Sequence, residues 1–287
     1  MARATLDIMR ATGGSRTIGT VSDVRSLGRH DHACWAFEDP AEFHAAAHDF
    51  LRDGLAAGER VCFVGAERDV EAWLAAEGVG EAVSRGAASA CVLDSMYAAF
   101  TPGDQLDVYR RATRAAVDAG YVGFRVAADV TELLRRPRQI ATFSRYEQIV
   151  DQYMAIEPFS AICGFQRDSL PAADLDRLMS VHPVGNGGVP FRIFADVDGG
   201  LAIAGDLDMT SSDLLADAFA AADLPVVGDE FTLDATRLAF IDHRSLIALA
   251  SFAAARDARL VLRTRKTHLA RLLELLELRD VRVEVTR

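Results

Sequence analysis

Short apolar runs alternate with longer amphipathic stretches through the first two thirds of this chain, and no other feature constrains its fold more. Such runs favour buried strands, and the stretches between them have helical spacing. Strands joined by helical crossovers pair in parallel, so the pattern predicts a mainly parallel α/β sheet with helices on both faces. The predicted strands are residues 32–37, 61–65, 90–93, 123–127 and 159–165, and the predicted helices are residues 40–57, 69–77, 101–119, 140–156 and 172–180.

The last third of the chain has a different order of elements. Two apolar runs, residues 191–197 and 201–207, are joined by Asp-Gly-Gly, which is typical of a hairpin. Thr210 followed by Asp213 is typical of a helix N-terminus. The sequence then predicts a strand that begins at residue 231 and leads through a polar turn to a helix at residues 243–256, followed by strand, helix and strand at residues 259–263, 266–278 and 281–285. The order ββαβαβαβ indicates a second, smaller α/β domain, and 287 residues suit two domains.

Composition indicates a cytoplasmic protein. No apolar run approaches the ~18–20 residues of a membrane span, and the first thirty residues lack the apolar core of a secretory signal. The four cysteines show no CxxC or CxxH spacing, which favours reduced thiols. The net charge of −11 argues against direct nucleic-acid binding, which depends on neutralising phosphates.

A single lysine, Lys266, excludes two kinds of chemistry from the first 265 residues. A phosphate-binding loop needs a lysine to reach the β- and γ-phosphates, and Schiff-base catalysis needs one as its nucleophile. The sequence also lacks GxGxxG after a strand, GxSxG and HExxH. We therefore predict a non-enzymatic protein without a cofactor, which does not bind ATP in the P-loop manner.

Several short motifs in the first domain resemble the MEDS domain, a sensory module related in fold to the RecA/KaiC ATPases. They are Asp31-His32-Ala33-Cys34 with Phe37, Phe124-Arg125-Val126 with Asp129, Glu147, the strand ending at Cys163, and His182-Pro183. The resemblance implies a sensor of small organic compounds, including hydrocarbon derivatives, that precedes a signalling or DNA-binding module in the chain. Phe165 and Gln166 depart from the family pattern. The implied ligand-binding residues are His32, Cys34, Phe37, Arg125, Asp129, Glu147, Cys163 and His182.

His32 and Cys34 alternate along one strand and so share a face of the sheet. Ligands of α/β proteins usually bind where strand ends meet. We expect both side chains to line a partly enclosed pocket at one end of the sheet, with Cys163 or His182 nearby. A thiol, an imidazole and apolar walls suit a weakly polar organic ligand. The alternative is that the strand cysteines are small buried hydrophobes.

Metal binding is the second alternative for this region. His30, His32, Cys34, His44 and His48 form a nitrogen- and sulfur-rich group, and His44 and His48 have helical i, i+4 spacing. Histidines on a helix are more often apolar-face or solvated residues than ligands, so we predict no metal. A Cys–His nucleophile is disfavoured because no oxyanion-binding element is visible.

The stretch from Phe231 to Ala248 resembles the central signature of STAS domains, the family of bacterial anti-sigma factor antagonists. Asp234 and Asp242 match the two aspartates of that signature, and the sequence Gly205-Asp206-Leu207-Asp208 matches the end of its second strand. His243 and Arg244 stand where the family has a hydroxyl pair that includes the phosphoacceptor, and Ser245 stands at its glycine. Phosphorylation is expected to be absent, or else displaced to Ser245. The implied partner-binding residues are Asp208, Asp242, His243, Arg244 and Ser245.

The predicted organisation is a flexible arm (1–21), a RecA/KaiC-like, MEDS-like sensor (22–182), a Gly-rich flexible linker (183–189) and a smaller STAS-like α/β domain (190–287). The predicted function is partner switching, in which ligand or redox state in the sensor changes binding to an anti-sigma factor or related kinase and thereby transcription. The alternatives are a homo-oligomeric, stressosome-like scaffold and an enzyme with a degenerate nucleotide-binding core.

Overall fold

The computed structural model describes residues 16–97, 100–135, 139–197, 200–221, 226–227 and 229–286. Two sheets account for the strands in these ranges. The strands are β1 (Gly19–Thr20), β2 (His32–Phe37), β3 (Arg60–Gly65), β4 (Ala88–Val92), β5 (Phe124–Asp129), β6 (Phe159–Gln166), β7 (Val184–Gly185), β8 (Phe191–Ala195), β9 (Leu201–Leu207), β10 (Val226–Val227), β11 (Glu230–Ile241), β12 (Arg259–Thr264) and β13 (Val281–Val285). The helices are α1 (Pro40–Ala56), α2 (Glu67–Leu74), α3 (Val79–Ser84), α4 (Leu93–Met96), α5 (Pro102–Asp118), α6 (Thr131–Leu134), α7 (Gln139–Ile156), α8 (Ala172–Ser180), α9 (Ser212–Ala221), α10 (His243–Ala254) and α11 (His268–Leu275).

The first sheet has the order β1-β7-β2-β6-β5-β3-β4, and all its strand pairs are parallel. Helices cover both faces, which is why all six residues of β2 are buried. One face packs under α1, α2 and α3 around Phe43, Phe50 and Trp73. The other packs under α5, α7 and α8 around Tyr109, Phe143 and Leu178. The predicted parallel sheet, its five strands and its cover on both faces are confirmed.

Each of the two segments predicted to be flexible contributes a short strand to this sheet. Residues 1–15 of the predicted arm lie outside the described ranges, but residues 19–20 form the edge strand β1. Val184–Gly185, in the predicted linker, is the buried strand β7 between β1 and β2. The side chain of Asn186 fixes the next turn, since it accepts from the Ala36 N–H (2.8 Å) and donates to the Ala36 carbonyl (2.7 Å).

Glycine in this segment serves close packing rather than flexibility. A Cβ on Gly185 would lie 2.6 Å from the Cys34 carbonyl oxygen, so only glycine fits between the strands. Two-residue strands show no hydrophobic period, and for this reason the sequence pattern missed β1 and β7.

The second sheet has the order β13-β12-β11-β9-β8, with β10 paired to β11 outside that path. The predicted β8–β9 hairpin is antiparallel, and the predicted element order is confirmed with β10 added. Asp242 caps α10, because its carboxylate accepts from the Ser245 N–H at 2.7 Å. The structure begins α9 at Ser212, two residues beyond the predicted cap Thr210, whose N–H and hydroxyl instead donate to Asp208.

The second domain packs on α7 and α8 of the first through buried polar contacts. The Arg192 guanidinium donates to the carbonyls of Met179 (2.7 Å), His182 (3.1 Å) and Gly187 (2.7 Å). The Gln148 amide donates to the Ala218 carbonyl at 3.1 Å. Main-chain carbonyls bonded in this way specify one relative position of the two domains. In the described ranges, no helix is both long and apolar enough to cross a bilayer.

Two glycines of the predicted linker test whether it is a packed strand. Gly185→Ala should lower the free energy of unfolding by about 1–3 kcal/mol, since its new methyl group must displace backbone. Gly188→Ala is the matched control: no atom lies within 4 Å of the site its methyl group would take, so it should be neutral or stabilising by about 0.4–1 kcal/mol. Urea unfolding of both variants measures the difference. Equal, small effects would indicate a loose hinge instead.

Candidate functional site: a buried polar cluster

Four polar side chains meet in the interior of the first domain, on the sheet face covered by α7. His32 comes from β2, Cys163 from β6, Glu147 from α7, and His182 from the turn after α8. His32, Glu147 and His182 are fully buried, and Cys163 is 7% exposed. The cluster therefore lies in a protein interior, where every polar atom needs a compensating partner.

Strand pairing and helical spacing explain why these residues meet. In the parallel register, His32 lies opposite Ala161 and Cys34 opposite Cys163, so alternate residues of both strands face α7. Glu147 and Asp151 are four residues apart on α7 and so share one face of that helix. His32 fits between the two carboxylates, with its Nε2 3.0 Å from Glu147 Oε2 and its Nδ1 3.1 Å from Asp151 Oδ1.

The carboxylates determine the charge of His32. Burial acts to lower the pKa of His32, but hydrogen bonds to Asp151 and Glu147 outweigh it and raise the pKa. For Asp151, burial acts in the opposite direction and would raise the pKa. The Arg16 guanidinium and His32 outweigh burial and hold the pKa of Asp151 well below its ordinary value. Arg16 and Asp151 form an ion pair in which both side chains are almost fully buried.

His182 and Cys163 complete the cluster in neutral forms. His182 Nδ1 lies 2.7 Å from the Leu178 carbonyl, and its ring centroid is 4.2 Å from that of His32. Burial and the neighbouring His32 lower the pKa of His182 well below its usual range. Cys163 Sγ lies 3.7 Å from His32 Nε2 and 3.8 Å from Glu147 Oε2. Burial, followed by the charge of Glu147, raises the pKa of Cys163 well above that of a free thiol.

The structure brings half of the predicted ligand-binding residues together in its buried interior. Cys34 shares their face, is fully buried among apolar side chains and has a raised pKa because of burial. One cavity of about 120 Å³ lies between α1 and α2, and a wider one of about 670 Å³ lies beside α11 and β13. Neither is lined by His32 or Cys34. Both side chains instead lie in a closed core, unlike the partly enclosed pocket that the sequence predicted.

The other three predicted ligand residues lie elsewhere. Phe37 stacks on Phe43 under α1, and Arg125 pairs with Glu59 on that same face, with its Nε 2.5 Å from the Glu59 carboxylate. Asp129 ends β5 and accepts from the Thr131 N–H at 3.0 Å, while burial raises the pKa of Asp129. Successive strand residues point to opposite faces. A list assembled along the sequence therefore mixed the two sides of the sheet.

The histidines considered as an alternative metal site do not come together. His30 Nδ1 contacts the Met154 carbonyl at 2.9 Å. His44 and His48 line the smaller cavity with Phe63 and Trp73, on the face opposite His32. The group that does converge consists of His32, Glu147, Cys163 and His182. No short sequence motif predicts this group, because its first and last members are 150 positions apart in the sequence.

Sequence reasoning missed Asp151, Arg16 and Arg192, which connect this cluster to the second domain. Asp151 Oδ2 accepts from the Ala195 N–H of β8 at 2.7 Å. Arg16 donates to the carbonyl of the same residue, also at 2.7 Å. A signal for Asp151 was present in its i+4 spacing from Glu147 within a predicted helix. Nothing in the local sequence marked the other two.

The proposed partner-binding residues lie at the carboxyl ends of β9 and β11. Asp242 N–H donates to the Leu207 carbonyl at 2.9 Å, which brings the two strand ends together. His243 and Arg244 are exposed in the first turn of α10. Among the described residues, no carboxylate lies within ion-pair distance of Arg244.

Ser245 is different, because it is only 1% exposed and its hydroxyl faces the interior without a partner. Its assignment to a binding surface was therefore wrong: the third position of this helix points inward.

Comparison with known families identifies the first domain. Residues 31–183 match the MEDS family, the MEthanogen/methylotroph, DcmR Sensory domain. The match covers more than half of the chain, so the chain belongs to this family. It includes all four residues of the buried cluster and ends before the second sheet. No curated protein matches the sequence.

Arg125 should contribute to the stability of the first domain, and its substitution should leave the buried cluster intact. Arg125→Met leaves the Glu59 carboxylate buried without its close partner, so we expect a loss of about 3–5 kcal/mol in the free energy of unfolding. The double variant Arg125→Met/Glu59→Leu removes both charges and should recover most of that loss. Urea unfolding of the single and double variants tests this. A double variant no more stable than Arg125→Met would contradict it.

Proposed function

We propose that this protein is a non-enzymatic, two-domain sensory regulator in which the buried cluster controls the second domain. Membership of the MEDS family supports a sensory role. The observation that carries the proposal is the position of Asp151. The Asp151 carboxylate accepts one hydrogen bond from His32 of the cluster and another from the Ala195 N–H of the second domain. A change at His32 therefore reaches β8 through a single side chain.

The energetics of this contact suit a switch. A buried carboxylate that loses one partner costs several kcal/mol, so Asp151 cannot lose His32 without a compensating rearrangement. Its other partners are Arg16 and the β8 backbone, and Arg16 also holds the Ala195 carbonyl. A stimulus couples the domains only if it favours one such arrangement over another. The stimulus we propose is a small organic compound or a redox change that acts on the cluster.

The output we propose is partner switching through a STAS-like domain. Support comes from the element order, the paired aspartates and the β8–β9 hairpin. The proposed contact surface consists of Asp208, Asp242, His243 and Arg244, flanked by Met209 and Ile247, which are 66% and 41% exposed. Exposed apolar side chains beside charges are typical of protein-binding surfaces. Its partner would be an anti-sigma factor or a related kinase that offers a carboxylate to Arg244.

Control of this output should not depend on serine phosphorylation. Arg244 occupies the expected phosphoacceptor position, and the Ser245 hydroxyl is buried. After incubation with ATP and a cytoplasmic extract of the source organism, mass spectrometry should find no phosphate on Ser245. Stoichiometric modification of Ser245 would show that the helix opens and that the phosphorylation switch has been kept.

The contact surface is tested by reversing one charge. Immobilised full-length protein should capture an anti-sigma factor or related kinase from extract, and Arg244→Glu should reduce capture at least about tenfold. Arg279→Glu is the matched control, because Arg279 is also exposed and precedes β13, at the amino ends of the parallel strands and so at the opposite edge of the sheet. Equal loss in both variants would indicate a general charge effect. Capture of only unrelated proteins would contradict the proposed output.

The link between the domains is tested at Asp151. Asp151→Asn leaves Arg16 without its counter-ion and should lower the free energy of unfolding by about 3–5 kcal/mol. Trp35 and Trp73, the only two tryptophans, lie in the first domain, so their fluorescence reports on it alone. We expect fluorescence and circular dichroism to give one urea transition in the parent protein and separate transitions in the variant. Glu157→Gln, an exposed change just after α7, should leave the transitions coincident.

A further inference from the structure

One donor atom from each of His32, Glu147, Cys163 and His182 lies within 4.8 Å of the other three. The closest separations are 3.0 Å (His32 Nε2 to Glu147 Oε2) and 3.6 Å (His182 Nε2 to Glu147 Oε2). Cys163 Sγ lies 3.7 Å from His32 Nε2 and 3.8 Å from Glu147 Oε2. Zinc bonds of about 2.0–2.3 Å in a tetrahedron put neighbouring donors about 3.3–3.6 Å apart. Four of the six separations, between 3.0 and 3.8 Å, are thus already close to the spacing of a zinc site.

The hydrogen bonding of His182 points to a cation at the centre of this group. Its Nδ1 faces a carbonyl oxygen, which can only accept, so Nδ1 carries the proton and Nε2 has a free lone pair. This buried Nε2 has no hydrogen-bond partner, and the atom facing it is a carboxylate oxygen, another acceptor. Two acceptors held together in a protein interior are unfavourable unless a positive ion lies between them.

The outer contacts of both histidines are those of metal ligands. His32 Nδ1 contacts Asp151 and His182 Nδ1 contacts the Leu178 carbonyl, which turns both Nε2 atoms toward the cluster. Metal-ligating histidines almost always use their second nitrogen in this way. Two imidazoles and a thiolate disfavour magnesium and calcium, which prefer oxygen donors.

We propose that His32 Nε2, Glu147 Oε2, Cys163 Sγ and His182 Nε2 bind one divalent transition metal ion, with zinc as the simplest occupant. On binding, His32 releases its Nε2 proton and Cys163 its thiol proton to solvent, and the thiolate and the Glu147 carboxylate balance the charge of the ion. Four protein donors fill a tetrahedral shell, which indicates a structural or regulatory site. This site deepens the proposed sensory function but does not depend on the output partner.

The ion would connect four separate parts of the first domain: β2, β6, α7 and the turn at His182. His182 directly precedes Pro183 and β7, where the chain leaves for the second domain. An occupied site would therefore fix the start of that connection and, through Asp151, the contact with β8. Metal loading would act on both covalent and non-covalent links between the domains.

Cobalt and zinc loading of the full-length protein tests the site. After refolding with excess metal and gel filtration, elemental analysis should find one ion per chain. The cobalt form should show a thiolate-to-cobalt charge-transfer band and intense tetrahedral d–d bands. Cys163→Ser should abolish the charge-transfer band and weaken binding at least about 100-fold, more than is usual for loss of an outer-shell contact. Cys34→Ser is the matched control. It should keep the charge-transfer band and the metal affinity, since Cys34 lies beside Cys163 on the same face but is not one of the four donors.

X-ray absorption of the zinc-loaded parent protein keeps the test decisive if a variant fails to fold. We expect one sulfur at about 2.3 Å and three nitrogen or oxygen neighbours at about 2.0–2.2 Å. A zinc shell without sulfur, less than one ion in ten chains, or a charge-transfer band lost equally in Cys34→Ser would overturn the site. Partner capture that still depends on Arg244 in such a metal-free protein would leave the proposed output standing.

Discussion

The relative position of the two domains depends on the hydrogen bonds and the ion pair of the buried Asp151 carboxylate. A charge removed from water must be compensated locally, and three elements do so: Arg16 before β1, His32 on β2, and the Ala195 N–H on β8. These partners come from the start of the described chain, the middle of the first sheet and the edge of the second. Displacement of the second domain would remove the Ala195 N–H from this buried carboxylate and the Ala195 carbonyl from Arg16. The two domains are therefore expected to behave as one unit.

The two faces of the first sheet carry different kinds of polar group. The face under α1 holds Arg125 and Glu59 as an internal ion pair among aromatic side chains, and its contacts are those of a packed core. The face under α7 holds the cluster of two imidazoles, a thiol and a carboxylate, with the second domain directly behind it. Polar groups are costly in an interior and persist where they serve specificity or function. The proposed sensory function therefore rests on the face under α7.

Much of the fold could be predicted from the sequence, because hydrophobic periodicity records which segments are covered by helices. The bounds of strand β2 were predicted to the residue, and the element order of the second domain was correct apart from β10. The pattern could not reveal β7, since two residues carry no period and Gly185 resembles a flexible position. The resemblance to the MEDS family supplied His32, Glu147, Cys163 and His182. Their convergence depends on strand register and helix rotation, which no single sequence shows. For the same reason the sequence grouped Phe37 and Arg125 with them, although both lie on the opposite face of the sheet.

The most direct test of coupling follows one amide that His32 does not touch. Hydrogen exchange of the Ala195 N–H, resolved by nuclear magnetic resonance in the full-length protein, should accelerate at least about tenfold in His32→Gln, because Asp151 loses the partner that holds it toward β8. The Leu260 N–H, which donates to the Asp280 carbonyl at 2.9 Å inside the second domain, is the internal reference and should keep its rate. Unchanged exchange at Ala195, or equal acceleration at Leu260, would contradict a specific path from the cluster to the second domain.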